Sequence, residues 1–154
     1  MRKTGIQLIS ENRKARFDYE IVETFEAGLV LLGSEVKSLR LGQAQLKDSY
    51  ISFVGDEAFL QNAHIAEYKN SSYNNHTPER LRKLLMKRRE LEEIYGALRE
   101  KGLTCVPLKM YFKEGRAKLE VALVKGKNRH DKRESIKKRD ASMELRQSLQ
   151  RSRR

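Results

Sequence analysis

A small antiparallel β barrel with a few helices and a basic tail is the architecture that this sequence predicts. Three observations carry the prediction. Short runs with two-residue hydrophobic alternation recur between glycine-containing turns. A single amphipathic stretch is long enough for a helix of several turns. The positive charge is concentrated at the two ends. Residues 1–16 carry five Lys/Arg against Glu11, and residues 125–154 carry twelve against Asp131, Glu134, Asp140 and Glu144. The residues between hold sixteen of each sign, so the net charge of +12 belongs to the ends. At 154 residues there is room for one domain. The organisation expected is a basic N-terminal arm (1–16), a barrel domain (17–124) and a basic tail (125–154).

The elements follow in order. Phe17-Asp18-Tyr19-Glu20-Ile21-Val22-Glu23-Thr24 alternates and predicts a half-buried strand with Phe17, Tyr19 and Ile21 on one face. Gly28-Leu29-Val30-Leu31-Leu32-Gly33 is short, apolar and bounded by glycines, as a second strand would be. Ser34 is placed to cap a short helix through Glu35, Val36, Lys37, Ser38, Leu39 and Arg40, which Gly42 stops. Tyr50-Ile51-Ser52-Phe53-Val54 and Ala58-Phe59-Leu60 flank Gly55-Asp56-Glu57, a hairpin signal. Residues 68–77 are polar without a period and predict a loop.

Thr77 and Pro78 then suit the N-cap and first position of the longest helix, which Gly102 ends. Its apolar stripe is Leu84, Leu91, Ile94, Tyr95 and Leu98. Val106 to Tyr111 and Ala117 to Val124 are two more strands, joined by Lys113-Glu114-Gly115-Arg116. About six short hairpin strands must bury one face and protect their edges, which favours a small barrel. Residues 125–154 offer Ile136, Met143, Leu145 and Leu149 as their larger apolar side chains, too few to fold alone. Gly and Pro are absent from 127–154, so the tail is expected to be disordered when free and helical once its charges are neutralised.

Composition narrows the function. A basic tail gains most against a polyanion, where each cation that neutralises a phosphate releases a counterion. No stretch has the apolar length of a membrane span, and Met1 to Ser10 lacks a signal-peptide run, so a cytoplasmic protein without membrane contact is expected. Cys105 is the sole cysteine and sits in an apolar run, as a buried small hydrophobe does. His64, His76 and His130 are far apart, no metal-ligand spacing occurs, and no phosphate-cradling glycine loop is found. The pattern calls for no cofactor, no metal and no enzymatic activity. Glu26 and Glu35 have no catalytic companion in sequence and are expected to be ordinary surface carboxylates.

The run from Arg80 to Arg89 holds six cations (Arg80, Arg82, Lys83, Lys87, Arg88, Arg89) and no acid. On a helix it is either a solvated face or a phosphate rail. Asn12-Arg13-Lys14-Ala15-Arg16 and the strand cations Lys109, Lys113, Arg116 and Lys118 are positioned to add to one side of a barrel. Phe17, Tyr19, Tyr50, Phe53, Tyr111 and Phe112 are interleaved among them, and any that is exposed can stack on bases. His130 lies just past the last strand, inside Lys127-Asn128-Arg129-His130-Asp131-Lys132-Arg133.

Several runs together resemble the small protein B family, the tmRNA-binding (SsrA-binding) factors of bacterial trans-translation. They are Asn12-Arg13-Lys14-Ala15-Arg16, Phe25-Glu26-Ala27-Gly28-Leu29, Gly33-Ser34-Glu35-Val36-Lys37-Ser38-Leu39-Arg40, Asp48-Ser49-Tyr50, Arg82-Lys83-Leu84-Leu85, Gly126-Lys127-Asn128-Arg129-His130-Asp131-Lys132-Arg133-Glu134 and Ile136-Lys137-Lys138-Arg139-Asp140. Each is weak alone; their order over residues 12–140 is specific. The resemblance implies an oligonucleotide-binding-type barrel that binds the tRNA-like domain of tmRNA and delivers alanyl-tmRNA to stalled ribosomes. It implies that Asn12, Glu26, Tyr50, Leu85 and Lys118 contact or support the RNA, with Arg13, Lys14, Arg16, Lys37, Arg40 and Lys83 in the same matched runs. It also implies that His130, Asp131, Lys132 and Arg133 meet the decoding centre, and that the tail, with Lys137, Lys138 and Arg139, enters the messenger channel as a helix. Lys138 departs from the family pattern, which usually has an acid there. A monomer is expected. The alternatives are a ribosomal-protein-like structural binder of rRNA, and an RNA-processing nuclease, which would need a carboxylate or histidine cluster.

Overall fold

A computed structural model describes residues 5–69 and 75–126. β1 (Ile6–Glu11) is followed by α1 (Arg13–Asp18) and the long strand β2 (Tyr19–Leu29). α2 (Gly33–Arg40) leads to β3 (Ala44–Gln45), the β4–β5 hairpin (Tyr50–Val54 and Glu57–Gln61) and β6 (His64–Ile65). β7 (Arg82–Leu85), α3 (Arg88–Glu100), β8 (Thr104–Lys113) and β9 (Arg116–Gly126) complete the described chain. The main sheet is antiparallel in its pairings and runs β1-β8-β9-β2-β7-β5-β4, with β3 and β6 paired separately. It curls until β4 packs against β8, so the mainly β architecture with one longer and two short helices stands. Among the described residues, β1 and β4 are not hydrogen-bonded to each other.

The inner face holds the core. Leu60, Ile65, Ile94, Leu119 and Val121 have no solvent exposure, and each such burial contributes about 1.5–3 kcal/mol. α2 places Leu39 in this core, and α3 places Ile94, Ala97 and Leu98 there. A second, smaller cluster lies on the outer face, where Ala15 of α1 covers Val106, Leu108, Ala122 and Val124.

Local signals hold where neighbouring strands confirm them. The β4–β5 and β8–β9 hairpins form as expected, with Gly55 (φ +66°) and Gly115 (φ +81°) in the turns. Cys105 is buried, and that burial pushes its thiol well above the usual range.

Other expectations are corrected. Within the expected basic arm (1–16), the chain from Ile6 onward joins the body: β1 pairs with β8, and Asn12 caps α1 by accepting from the Ala15 N–H at 3.2 Å. Phe17 therefore lies on a helix, 69% exposed, rather than on a strand. The separate strand expected at 28–33 does not exist, because β2 runs on to Leu29 and the chain then turns into α2. Ser34 does not cap α2. The Glu35 carboxylate does so, accepting from the Leu32 N–H at 2.8 Å.

The largest correction concerns residues 77–102. Pro78 lies in a turn, residues 82–85 are a strand, and the helix begins only at Arg88. Leu84 belongs to that strand and not to the helix stripe. Arg82 and Leu84 are buried on the inner side of β7, with Lys83 and Leu85 outward. The two-residue period wins because Arg82 finds its counter-charge in Glu35, far away in sequence. The expected cationic helix face is therefore divided, and Glu35 is not a surface carboxylate.

Candidate nucleic-acid interface

Strand alternation builds one broad outward face. Phe25, Ala27, Met110, Phe112, Leu119 and Val121 point into the core, so Glu26, Tyr111, Lys118 and Glu120 share the opposite side. Registers align these residues across strands. Leu8 stands beside Tyr111, Tyr111 beside Lys118, Lys118 beside Gly28, and Gly28 beside Leu85. One row therefore crosses five strands, with Lys118 at its middle and two half-exposed leucines at its ends (Leu8 55%, Leu85 54%). A Cβ on Gly28 would make ordinary contact with the Leu85 Cβ at 3.4 Å, so the two strands approach closely at this point of the row. The adjoining row is Lys109, Glu120 and Glu26.

Glu26 is the acid of this face. Tyr111 Oη donates to its Oε2 at 2.6 Å, and Lys113 Nζ lies 3.3 Å from the same oxygen. The Tyr111 hydrogen bond holds the Glu26 carboxyl below the usual carboxylate range, against the opposing effect of its partial burial and with help from Lys113 and Lys118. Burial, then the hydrogen bond to Glu26 and its charge, pushes the Tyr111 phenol well above its usual range. The ring is almost fully covered, and the Lys109 ammonium sits 5.7 Å above it.

α1 borders this face. Asn12 is buried, and its Nδ2 donates to the Pro107 carbonyl at 2.9 Å, so it supports the helix. The Arg13 side chain is 88% exposed, and Lys14 also points outward. Arg16 Nη2 approaches Glu120 Oε1 at 3.5 Å and ties the helix to the sheet face. Tyr50 lines a small cleft with Asn12, Lys14, Asp18 and Asp48. Lys83 shares the outward side of β7 with Leu85 and pairs with Glu57 at 2.9 Å.

Two expected residues lie elsewhere. Lys37 and Arg40 are on α2, whose Leu39 enters the core from the opposite side of the sheet. The Lys37 ammonium is 5.5 Å above the Tyr68 ring, and Arg40 borders a cleft of about 540 Å³ with Gln7, Phe112 and Glu114. His130, Asp131, Lys132, Arg133, Lys137, Lys138 and Arg139 lie outside the described residues.

Beneath this surface, Glu35 and Arg82 are both fully buried. The Glu35 carboxylate accepts from Arg80 at 2.7 and 3.1 Å and from Arg82 at 2.8 Å. Burial works against the charge on Glu35, but these donors and the Leu32 N–H hold its carboxyl below the usual range. Arg82 also donates to the Ala63 and Pro78 carbonyls. Ser34 Oγ and His76 Nδ1 lie 2.8 Å apart, and His76 Nε2 donates to the Ile65 carbonyl. This network fastens the chain leading into β7 and so fixes where Lys83 and Leu85 emerge. Leu8 and Glu120 are not among the residues that the sequence points to, and Tyr111 is named there only as an aromatic that would stack on bases if exposed, which its covered ring excludes. The alternation of Lys109, Tyr111 and Lys113 with Met110 and Phe112 was the available signal for Tyr111. Among the described residues no His/Cys/Asp/Glu cluster is arranged to hold a metal ion.

The chain is similar to known proteins of one family along most of its length. The family model described as SmpB protein matches residues 9–151. The SsrA-binding protein of Bdellovibrio bacteriovorus is 74% identical over 149 residues, covering 97% of this chain and 98% of that protein. The SsrA-binding protein of Syntrophobacter fumaroxidans is 54% identical over 139 residues, covering 90% and 86%. A solved structure described as "tmRNA-SmpB: a journey to the center of the bacterial ribosome" contains a chain 48% identical to this one, with a TM-score of 0.67, covering 82% of this chain and 92% of that one.

Proposed function

The chain belongs to the SmpB protein family, and on that footing we propose that it binds tmRNA through the tRNA-like domain and helps deliver alanyl-tmRNA to stalled ribosomes. The observation that carries this reading is the outward row in which Lys118 stands between Tyr111 and Leu85, with Glu26 alongside. Lys118, Arg16 and Lys83 offer charge to phosphates, and Leu85 and Leu8 offer apolar contact to sugar and base faces. Glu26 can only accept hydrogen bonds once ionised, so it suits a 2′-OH or a base N–H. Asn12 and Tyr50 support the α1 border.

The tail, beyond the described residues, would do the second half of the work. About 20 helical residues would span about 30 Å, enough to probe a messenger channel and sense whether it is filled. His130 to Arg133 would meet the decoding centre first. The factor would act as a cytoplasmic monomer without chemistry of its own. No described helix is long and apolar enough to cross a membrane. A permanent rRNA-bound structural role is the weaker reading, because the relatives are named for binding SsrA.

The experiment is to purify the protein from its own host and identify the RNA that accompanies it. One enriched tmRNA species supports the proposal, and ribosomal RNA alone overturns it.

A further inference from the structure

We propose that Tyr111 is a positioning residue of this interface: with Lys113 it holds the Glu26 carboxylate so that one oxygen faces the RNA and accepts from a 2′-OH or base N–H. The proposal rests on the tmRNA-binding reading above and adds to it a residue that does not itself need to touch RNA.

The geometry is specific. Oε2 of Glu26 takes the Tyr111 hydroxyl at 2.6 Å and Lys113 at 3.3 Å, while Oε1, among the described residues, takes Lys113 alone, at 3.4 Å. The Glu26 side chain is 39% exposed, so the carboxylate is open to a ligand. A carboxylate amid cations repels phosphate, and at this place it gains only from a hydrogen-bond donor. Its orientation therefore matters more than its charge. The groups that face it are Tyr111, Lys113 and Lys109 from β8, and Lys118 and Glu120 from β9, the last engaged by Arg16. β7 presents Leu85 beside Gly28. Of the neutral neighbours among the described residues, Tyr111 alone donates to Glu26, and its covered ring leaves the hydroxyl little freedom to turn elsewhere.

The test uses the full chain and an RNA containing the tRNA-like domain, with Tyr111→Phe, Glu26→Ala and the double variant. Tyr111→Phe keeps the ring and should weaken binding on the order of tenfold, the scale of a hydrogen bond to a charged group. In the Glu26→Ala background the same change should add almost nothing. The carboxyl carbon signal of Glu26 in the free protein should titrate at higher pH in Tyr111→Phe. Binding should then be lost at higher pH on acidification, because ionised Glu26 is the form that accepts. The proposal is overturned if Tyr111→Phe binds like the parent, if it costs as much without Glu26, or if the Glu26 titration does not move. Should the parent chain itself fail to prefer this RNA over an unrelated RNA of equal length, the tmRNA reading fails and takes the RNA role of Tyr111 with it. That failure is visible in the parent alone, and the free-protein titration still judges the pairing.

Discussion

The Glu35 carboxylate and the Arg82 guanidinium meet at 2.7 Å with neither side chain exposed to solvent, across 47 positions of sequence. The pair joins the start of α2 to β7, and Arg80 adds a second guanidinium to the same carboxylate. Removing one partner of a buried pair strands the other's charge, which costs about 3–5 kcal/mol. Glu35→Gln is isosteric and should destabilise by that amount, read by urea unfolding. The sign of the pH dependence follows from a carboxyl held low in the folded state. The stabilisation is present above the usual carboxylate range and is lost as pH falls through the lower folded value. The gap between parent and Glu35→Gln should therefore be full at neutral pH and shrink in acid. A gap that does not change with pH contradicts this.

Glu26→Ala distinguishes two effects of opposite sign. Simple repulsion from phosphate predicts tighter RNA binding once the acid is gone. A carboxylate that accepts from the RNA predicts weaker binding, by roughly tenfold. Equilibrium binding of the tRNA-like domain decides it, and tightening would remove Glu26 from the interface.

Salt reports how much of the affinity is electrostatic. With about six to ten phosphate contacts, affinity should fall on the order of 10³-fold or more between about 50 and 200 mM salt, linearly in log–log form. A nearly flat dependence would mean that the cations of α1, β7 and β9 do not meet phosphates.

Cutting the chain after Lys127 leaves Lys125 and Lys127 and removes the other ten of the twelve Lys/Arg in residues 125–154. The sheet face is untouched. Binding to tmRNA should survive largely, while rescue of ribosomes stalled in a translation extract should be lost. Normal rescue by the shortened chain would deny the tail any role in sensing the channel.

What was legible in the sequence was local. The β4–β5 and β8–β9 hairpins are spelled by alternation and by Gly55 and Gly115, which need no distant partner. α2 was legible for the same reason, with Gly42 (φ +72°) at its end. The stretch from Arg80 to Leu85 was not, because its identity as a strand depends on Glu35 and on pairing with β2 and β5. α1 is six residues long, too short to show a helical period, and is held by Asn12 and by the packing of Ala15. The site divided in the same way. Glu26, Leu85 and Lys118 came from family resemblance, and strand register brings them onto one face. Tyr111 reaches Glu26 across 85 positions, a contact that no local pattern announces.

The central claim, that the outward sheet face is the RNA-binding surface, is tested most directly by charge reversal at its centre. Lys118→Glu and, as an equal charge change on α3 across the sheet, Arg99→Glu should be titrated against the tRNA-like domain in the same salt. Lys118→Glu should weaken binding on the order of tenfold or more, as expected when an interfacial charge turns repulsive, and Arg99→Glu should leave it nearly unchanged. Equal affinities for the parent and Lys118→Glu would contradict the account.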